Sequence, residues 1–361
     1  LNAVFIGGGL LIWTLVFHRA MILRALLAFF IVTPAVFWLG WPWLWHDTFS
    51  HLLDYLIFHL QHYPVLVYYL GELHSYAPWH YPFVITAVTV PSVVLLLMVA
   101  GLFYGASARK APEWKKTNDA QTSARWLLII GALCYLLPSA MPFAPKYNGV
   151  RLFLPAMVFL MGWAGGGFDL ATQMLAHRLE KIRALGAMPS LPQKTTVLLT
   201  VALLLPSLIG VSRVYPYENA YYNGLVGGPT GAQKRGLETI YWGGVYAAAL
   251  PALNAVERPA PRVFVTPAGV TSLLIAYQRG GGLREDIEWV TPPSPEQQKE
   301  GWPQAALKDV DLVVFQCAHS EFDAVANTLY ESGTPEATSI YLEGVPILLI
   351  FKGEEARRVF R

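Results

Sequence analysis

Charged residues are scarce in this chain of 361 residues: 14% are Asp, Glu, Lys or Arg, and 54% are hydrophobic. Soluble domains carry charges on about a quarter of their residues. The composition therefore excludes an ordinary soluble protein and predicts a membrane protein. The net charge is only +2, and no basic cluster is interleaved with stacking aromatic residues, which argues against a nucleic-acid partner.

Cysteine and the common nucleotide and metal motifs are also scarce or missing. Cys134 falls in a predicted membrane helix and Cys317 in a predicted soluble strand, so we expect no disulfide between them. The sequence contains no GxGxxG fingerprint, no P-loop and no HExxH. The chain opens without Met, inside a hydrophobic run that no basic region precedes, so we expect it not to begin with a signal peptide and expect further sequence upstream.

Long apolar runs dominate the first two thirds of the chain. They predict a polytopic α-helical membrane protein with about six spans, each long enough to enter a bilayer. The predicted spans cover approximately residues 3–17, 25–45, 84–103, 126–141, 152–168 and 195–211.

The distribution of Lys and Arg predicts the orientation of these spans. The connection 42–81 contains no Lys or Arg. The turn after the first run and the loops after the third and fifth runs are basic, with Arg19, Arg24, Arg109, Lys110, Lys115, Lys116, Arg125, Arg178, Lys181, Arg183 and Lys194. Because basic loops stay in the cytoplasm, we expect 42–81 to be an outer loop of an integral protein of the inner (plasma) membrane.

The character of the sequence changes after Ser212. We therefore expect a transmembrane region at 1–212 and an extracytoplasmic (periplasmic) α/β domain at 213–361, about 150 residues long. Strand and helix patterns alternate there, which predicts a mostly parallel sheet whose last two strands form a hairpin. We also expect a helix over 237–256.

Two cations stand in a short turn, broken by Pro and Gly, between the fourth and fifth runs, MPFAPKYNGVRLFLPAMVFL. Lys146 and Arg151 could extend to the membrane surface, as flanking bases usually do. Alternatively, they could bind an anionic headgroup such as a lipid-linked phosphate, Arg in a forked geometry and Lys as a point charge. The residues alone leave both interpretations open.

The outer loop holds six of the nine histidines, His46, His51, His59, His62, His74 and His80. Pairs such as His59 and His62 could share a helix face and bind a divalent metal, but no ligand spacing indicates one, and an amphipathic surface helix with LLDYLIFHL as its apolar side is the simpler interpretation. The segment HSYAPWHYPFV precedes the third span. Trp79, His80 and Tyr81 there either form an aromatic belt or, with Tyr147, line a pocket for a sugar and a phosphate.

These segments resemble the GT-C family of polyprenyl-phosphate-dependent glycosyltransferases, which includes protein O-mannosyltransferases and aminoarabinose transferases. KYNGVRLFLPAMVFL is similar to the signature near the end of their membrane region, PWHYPFV to an aromatic outer-loop segment, and YYNGLVGG with TIYWGG to the region after the membrane in bacterial members. The resemblance covers most of the chain and implies that it is the C-terminal portion of such an enzyme.

The resemblance implies a donor, partners and roles for the two cations. The enzyme would move a sugar from a polyprenyl-phosphate carrier to a protein or lipid acceptor on the outer face, and Lys146 and Arg151 would stabilise the departing phosphate. The catalytic carboxylate of the family lies in the first outer loop, before this chain begins, so no catalytic residue is assigned; Asp47, Asp54 and Glu72 are not given that role.

Two other functions are compatible with the sequence. The chain could be a non-catalytic membrane subunit that is descended from such an enzyme and acts as a scaffold in a larger complex with other membrane subunits. It could also be a transporter of lipid-linked sugars, although the predicted spans carry few of the polar residues that this function would require at mid-membrane depth.

Overall fold

The computed structural model describes residues 2–61, 63–107, 114–180, 191–299, 301–333 and 338–361. The protein is mostly helical with a small mixed sheet. Its contacts divide it into two units, Leu1–Val65 with Ser75–Ser207, and Leu66–His74 with Leu208–Arg361. The second unit thus includes nine residues of the loop 42–81.

The first unit is built from helices. They are α1 Asn2–Phe17, α2 Ile22–Leu27, α3 Thr33–Gly40, α4 Thr48–Leu60, α5 Tyr81–Thr89, α6 Ser92–Ser107, α7 Trp114–Ala140, α8 Ala156–Glu180 and α9 Leu191–Ser212. A π-helical turn, Ala28–Val32, joins α2 to α3. It precedes Pro34, which has no N–H to donate to the preceding turn, so a widened turn accommodates the missing bond.

In the described part of the chain, two helices are long and apolar enough to cross a membrane, Arg19–Gly40 and Ala120–Ala140. α5 and α6 are bent by 116° relative to each other. If together they form one broken span, they make a third crossing. Among the described residues this is fewer than the six spans predicted. The span expected at 84–103 is not one continuous helix: Pro91 disfavours helical backbone at the residue before it, and Val90 is extended (ψ 134°).

Three other predicted spans differ from the structure in length or composition. The first and sixth are shorter apolar helices, Val4–Phe17 and Thr196–Ser212. The fifth lies in α8, whose apolar run is interrupted by several glycines and Asp169. The loop residues 108–113 and 181–190, which carry part of the basic charge used to predict orientation, lie outside the described residues.

The second unit is an α/β structure around a five-stranded sheet. Its elements are β1 Val67–Tyr69, β2 Glu72–His74, α10 Gly228–Lys234, α11 Leu250–Asn254, β3 Arg262–Thr266, α12 Thr271–Arg279, β4 Glu288–Val290, α13 Trp302–Ala306, β5 Leu312–Gln316, α14 Ala324–Ser332, β6 Ile340–Leu342, β7 Val345–Lys352 and α15 Gly353–Val359. The strand order is β4-β3-β5-β7-β6. β1 and β2 form a separate antiparallel hairpin.

The five-stranded sheet is mixed. β4, β3 and β5 are parallel, whereas β7 is antiparallel to both β5 and β6. The predicted hairpin of the last two strands is confirmed, and "mostly parallel" describes only one half of the sheet. Alternate residues of β3 enter the cores on opposite faces, with Val263 and Val265 on one side and Phe264 on the other.

The helix predicted over 237–256 is wrong in its first third. Leu237 forms a β-bridge with Tyr69, and Trp242 and Gly243 have positive φ, which α-helices do not tolerate. Helical backbone begins only at Gly244, as a 3-10 turn that leads into α11.

Candidate functional site

The loop between α7 and α8, residues 141–155, positions the two cations singled out in the sequence. Proline and left-handed backbone prevent it from continuing either helix: Phe143, Asn148 and Gly149 all have positive φ. The chain consequently turns back on itself within a few residues, and carbonyl groups of the loop point inward.

Lys146 is enclosed by this loop. Its side chain is only 3% exposed, and its Nζ donates to the carbonyl oxygens of Met141 at 2.9 Å and Ala144 at 3.3 Å. These bonds use two of the three ammonium protons. Burial lowers the pKa of Lys146, because removing the ammonium from water disfavours its charged form. An anion close to the third proton would offset that penalty.

Arg151 begins the 3-10 turn Arg151–Phe153 that leads into α8. Its guanidinium carbon lies 5.8 Å from the centre of the Tyr147 ring, within the range of a cation–π contact. The side chain is exposed. Among the described residues, no carboxylate forms an ion pair with either Lys146 or Arg151.

A cavity of about 620 Å³ adjoins the loop, a size typical of small-molecule sites. The ends of α4 and α7, the start of α1 and the loop itself line it, through Phe5, Phe58, His59, Leu60, Tyr63, Pro138, Ser139, Met141, Pro142, Phe143, Ala144, Pro145, Tyr147 and Leu152. The walls are mainly aromatic and aliphatic, with a few polar groups. Lys146 lies in the chain between two lining residues, Pro145 and Tyr147.

The three aromatic-segment residues predicted to line a pocket lie at the start of α5. Trp79 is exposed and its ring makes edge contacts with His80 and Phe83. Tyr81 is 1% exposed, within the core of the first unit. None of Trp79, His80 and Tyr81 lines the 620 Å³ cavity, whereas Tyr147 does.

The histidines of the loop 42–81 are spread over both units. His51 stacks on Trp43 and His59 packs against Tyr55, while His74 belongs to the hairpin of the second unit. His62 lies outside the described residues. Within the described ranges, no group of three or more His, Cys, Asp and Glu side chains could hold a metal ion.

A polar cluster in the second unit was not predicted from the sequence. Glu238 is almost fully buried, and its two oxygens accept the backbone N–H groups of His319 (2.7 Å) and Ser320 (2.9 Å). The His319 ring stacks on Tyr68 with centroids 4.4 Å apart, and its Nδ1 lies 3.6 Å from Glu238 Oε1. These residues are distant in sequence, so no local pattern could have indicated the cluster. Cys317, next to it, is a buried core residue.

The chain matches no protein-family model, no curated protein sequence and no solved structure.

Proposed function

We propose that the chain is the carrier-binding portion of a membrane glycosyltransferase similar to the GT-C enzymes. It binds a polyprenyl-phosphate sugar, and the transfer to a protein or lipid acceptor takes place on the outer face of the membrane, where the second unit also lies. Lys146 and Arg151 contact the phosphate and stabilise the charge that it carries as the sugar departs.

The observation that carries this proposal is an apolar cavity lined by the neighbours of two cations, Pro145, Tyr147 and Leu152, together with the finding that neither cation forms an ion pair with a carboxylate among the described residues. A lysine buried to this extent normally has a counterion, since an uncompensated buried charge is costly. Here the described residues supply only two carbonyl oxygens to Lys146. A phosphate would supply the missing charge, and the aromatic and aliphatic walls of the cavity would take isoprene units.

The scaffold function is the second candidate, and one observation favours it. None of the described residues that line the cavity is Asp or Glu, so these residues offer no carboxylate to deprotonate an acceptor hydroxyl. A scaffold descended from an enzyme would keep carrier binding and lack transfer. Measurement of binding and of transfer, separately, distinguishes the two candidates.

The test of the proposal is binding of a long-chain isoprenyl monophosphate to the full chain in lipid nanodiscs, followed by native mass spectrometry. Lys146→Met keeps the length and apolar packing of the buried stem, and Arg151→Gln keeps hydrogen bonding. We expect each to weaken binding about tenfold, about 1.4 kcal/mol, as for the loss of one charge-assisted hydrogen bond.

Two controls make this result specific. Arg213→Gln removes an exposed cation outside the loop and should bind as the unchanged protein does. The isoprenyl alcohol of the same length lacks the phosphate, so the Lys146 and Arg151 variants should not affect its binding. Unchanged affinity for the monophosphate in both loop variants would refute the proposal.

A further inference from the structure

Helix α4, Thr48–Leu60, has an apolar face that nothing in the described structure covers. At helical spacing, Phe49, Leu53, Leu56 and Leu60 share one side. Phe49 is 89% exposed and Leu60 78%, with Leu53 and Leu56 also exposed. Four large apolar side chains along one face exceed the scattered exposure that is normal for a protein surface.

The opposite side of α4 is held by the end of the preceding apolar helix. Tyr55 contacts the rings of Phe37 and Trp41, and the His51 ring stacks on Trp43. Trp38 Nε1 donates to Thr48 Oγ1 at 3.2 Å. These contacts fix which face of α4 is turned inward, so the exposed apolar face is a consequence of the fold.

The helix that α4 packs against identifies the environment of the exposed face. Arg19–Gly40 is long and apolar enough to cross a bilayer, and 0% of its apolar window is buried inside the protein. Trp41, Trp43 and Trp45 follow its end, in the position where aromatic residues mark a membrane interface. Because α4 packs against Phe37, Trp38 and Trp41, it lies at the level where that span leaves the hydrocarbon.

The charges of this segment indicate how it would be held there. Residues 42–81 include no Lys or Arg, and α4 carries a single carboxylate, Asp54, away from the apolar face. Attraction to anionic lipids, which usually assists interfacial helices, is therefore unavailable to α4. Burial of apolar area is the contribution that remains.

We infer that α4 lies in the plane of the membrane interface, with Phe49, Leu53, Leu56 and Leu60 inserted among the lipid chains and with no requirement for anionic lipid. The inference depends on the membrane insertion of Arg19–Gly40 and not on glycosyl transfer. Because Phe58, His59 and Leu60 of α4 also line the 620 Å³ cavity, it would place that cavity at the depth of lipid headgroups.

Site-directed spin labelling tests the inference. Single labels are attached at Phe49→Cys, Leu53→Cys, Leu56→Cys and Leu60→Cys in a chain that also carries Cys134→Ala and Cys317→Ala. The protein is placed in nanodiscs of phosphatidylcholine, and the collision rates of each label with oxygen and with a water-soluble nickel chelate are compared. The labelled positions are exposed, so folding should be unaffected.

Ser50→Cys and Asp54→Cys are the matched controls, since both are exposed positions on the same helix but away from the apolar face. We expect the ratio of oxygen to nickel collision to be several-fold higher at the four apolar positions than at the two controls, and to stay the same when anionic lipid is added. Equal ratios at all six positions would show that the apolar face is not selectively turned toward lipid and would overturn the inference.

Two other results would also overturn it. Spectral broadening between labels on different molecules would show that a second copy covers the face. A gain in oxygen accessibility only when anionic lipid is present would show that charge is needed. Loss of isoprenyl monophosphate binding has no bearing on these ratios, so the failure of this inference and the failure of the proposed function are distinguishable.

Discussion

The enclosure of Lys146 by the carbonyl groups of its own loop is an unusual environment for a lysine. Flanking lysines at a membrane normally extend their ammonium group to water, but the Nζ of Lys146 is turned inward, to Met141 and Ala144. Because burial lowers its pKa, the folded state without a bound anion binds protons at this site less readily than the unfolded chain. Binding of a phosphate should reverse this shift, since an opposite charge favours the ammonium form.

Asp323 provides a pH prediction at the scale of one residue. Its carboxylate caps α14 by accepting the N–H of Ala326 at 2.8 Å. Burial raises the pKa of Asp323, and its hydrogen bonds offset only part of that effect. The folded state therefore binds a proton at Asp323 more tightly than the unfolded state does, and this protonation stabilises the fold. The stabilisation is fully present below a pH of about 3.9 and is lost as the pH rises through the pKa of the folded state.

We expect Asp323→Asn to raise the free energy of unfolding at pH 7 and to leave it unchanged at pH 4, because Asn caps a helix as well as Asp does but carries no charge. Asp323→Ala removes the cap as well as the charge, so it should lower the free energy of unfolding by about 1 kcal/mol at pH 4 and by less at pH 7. Denaturant unfolding of the protein in detergent micelles, followed by circular dichroism, measures both. Asn and Ala variants with the same pH profile as the unchanged protein would contradict the prediction.

At the level of single residues, the sequence predicted which residues carry the charges of the site better than it predicted where their side chains lie. The positions of Lys146 and Arg151 in a broken turn between apolar runs were evident, because Pro, Gly and charge are local signals. That Lys146 is buried and Arg151 exposed depends on which carbonyl groups the turn directs inward, which local signals do not encode. The cluster of Glu238, His319 and Tyr68 joins residues far apart in the chain, so it required the tertiary structure.

At the scale of elements, α6 and α8 approach each other more closely than side chains would allow. A Cβ atom at Gly167 would lie 1.9 Å from the carbonyl oxygen of Leu97, and one at Gly101 would lie 2.0 Å from that of Trp163. Such backbone contact through small residues is a common means of packing helices in membranes, where lipid supplies no hydrophobic driving force between them.

Gly167→Ala should therefore lower the unfolding temperature in detergent, since the two helices must separate to admit the methyl group. Gly165→Ala is the matched control, because it lies on the same helix with no atom within 4 Å of the added Cβ. Ala has a higher helix propensity than Gly by about 1 kcal/mol, so the control should be neutral or stabilising. Shifts of the same sign in the two variants would show that the close contact does not hold the helices together.

The elements were predicted well where periodicity was strong and poorly where one residue governs the backbone. The alternating strands β3, β5 and β7 have buried residues on both faces, and their apolar runs predicted them. The helix breaks at Pro91 within a run that hydropathy predicts as one span. Hydropathy does not include the missing N–H of proline, so the break was not predicted. The left-handed backbone at Trp242 likewise ended a helix that composition alone favoured.

At the scale of the whole molecule, the hairpin of β1 and β2 restricts the membrane topology. It is separated in sequence from the rest of the second unit by more than 100 residues of the first unit, yet Tyr69 pairs with Leu237 and the Gly71 N–H donates to Gly236 O at 3.0 Å. Tyr69 is 1% exposed, and burial raises its pKa to about 12. Because residues 66–74 belong to the second unit, we expect any membrane crossings between residues 75 and 207 to be even in number.

This topology predicts the accessibility of three exposed positions to a membrane-impermeant maleimide. In a chain with Cys134→Ala and Cys317→Ala, Glu72→Cys on the hairpin and Lys234→Cys on α10 should be labelled from the same face of the membrane, the outer one. Arg19→Cys should be labelled only from the opposite face, since the single apolar helix Arg19–Gly40 separates it from the hairpin. Vesicles of both orientations provide the comparison. Labelling of Glu72→Cys and Lys234→Cys from opposite faces would show that the hairpin does not belong to the second unit, and labelling of all three from one face would show that Arg19–Gly40 does not cross the bilayer.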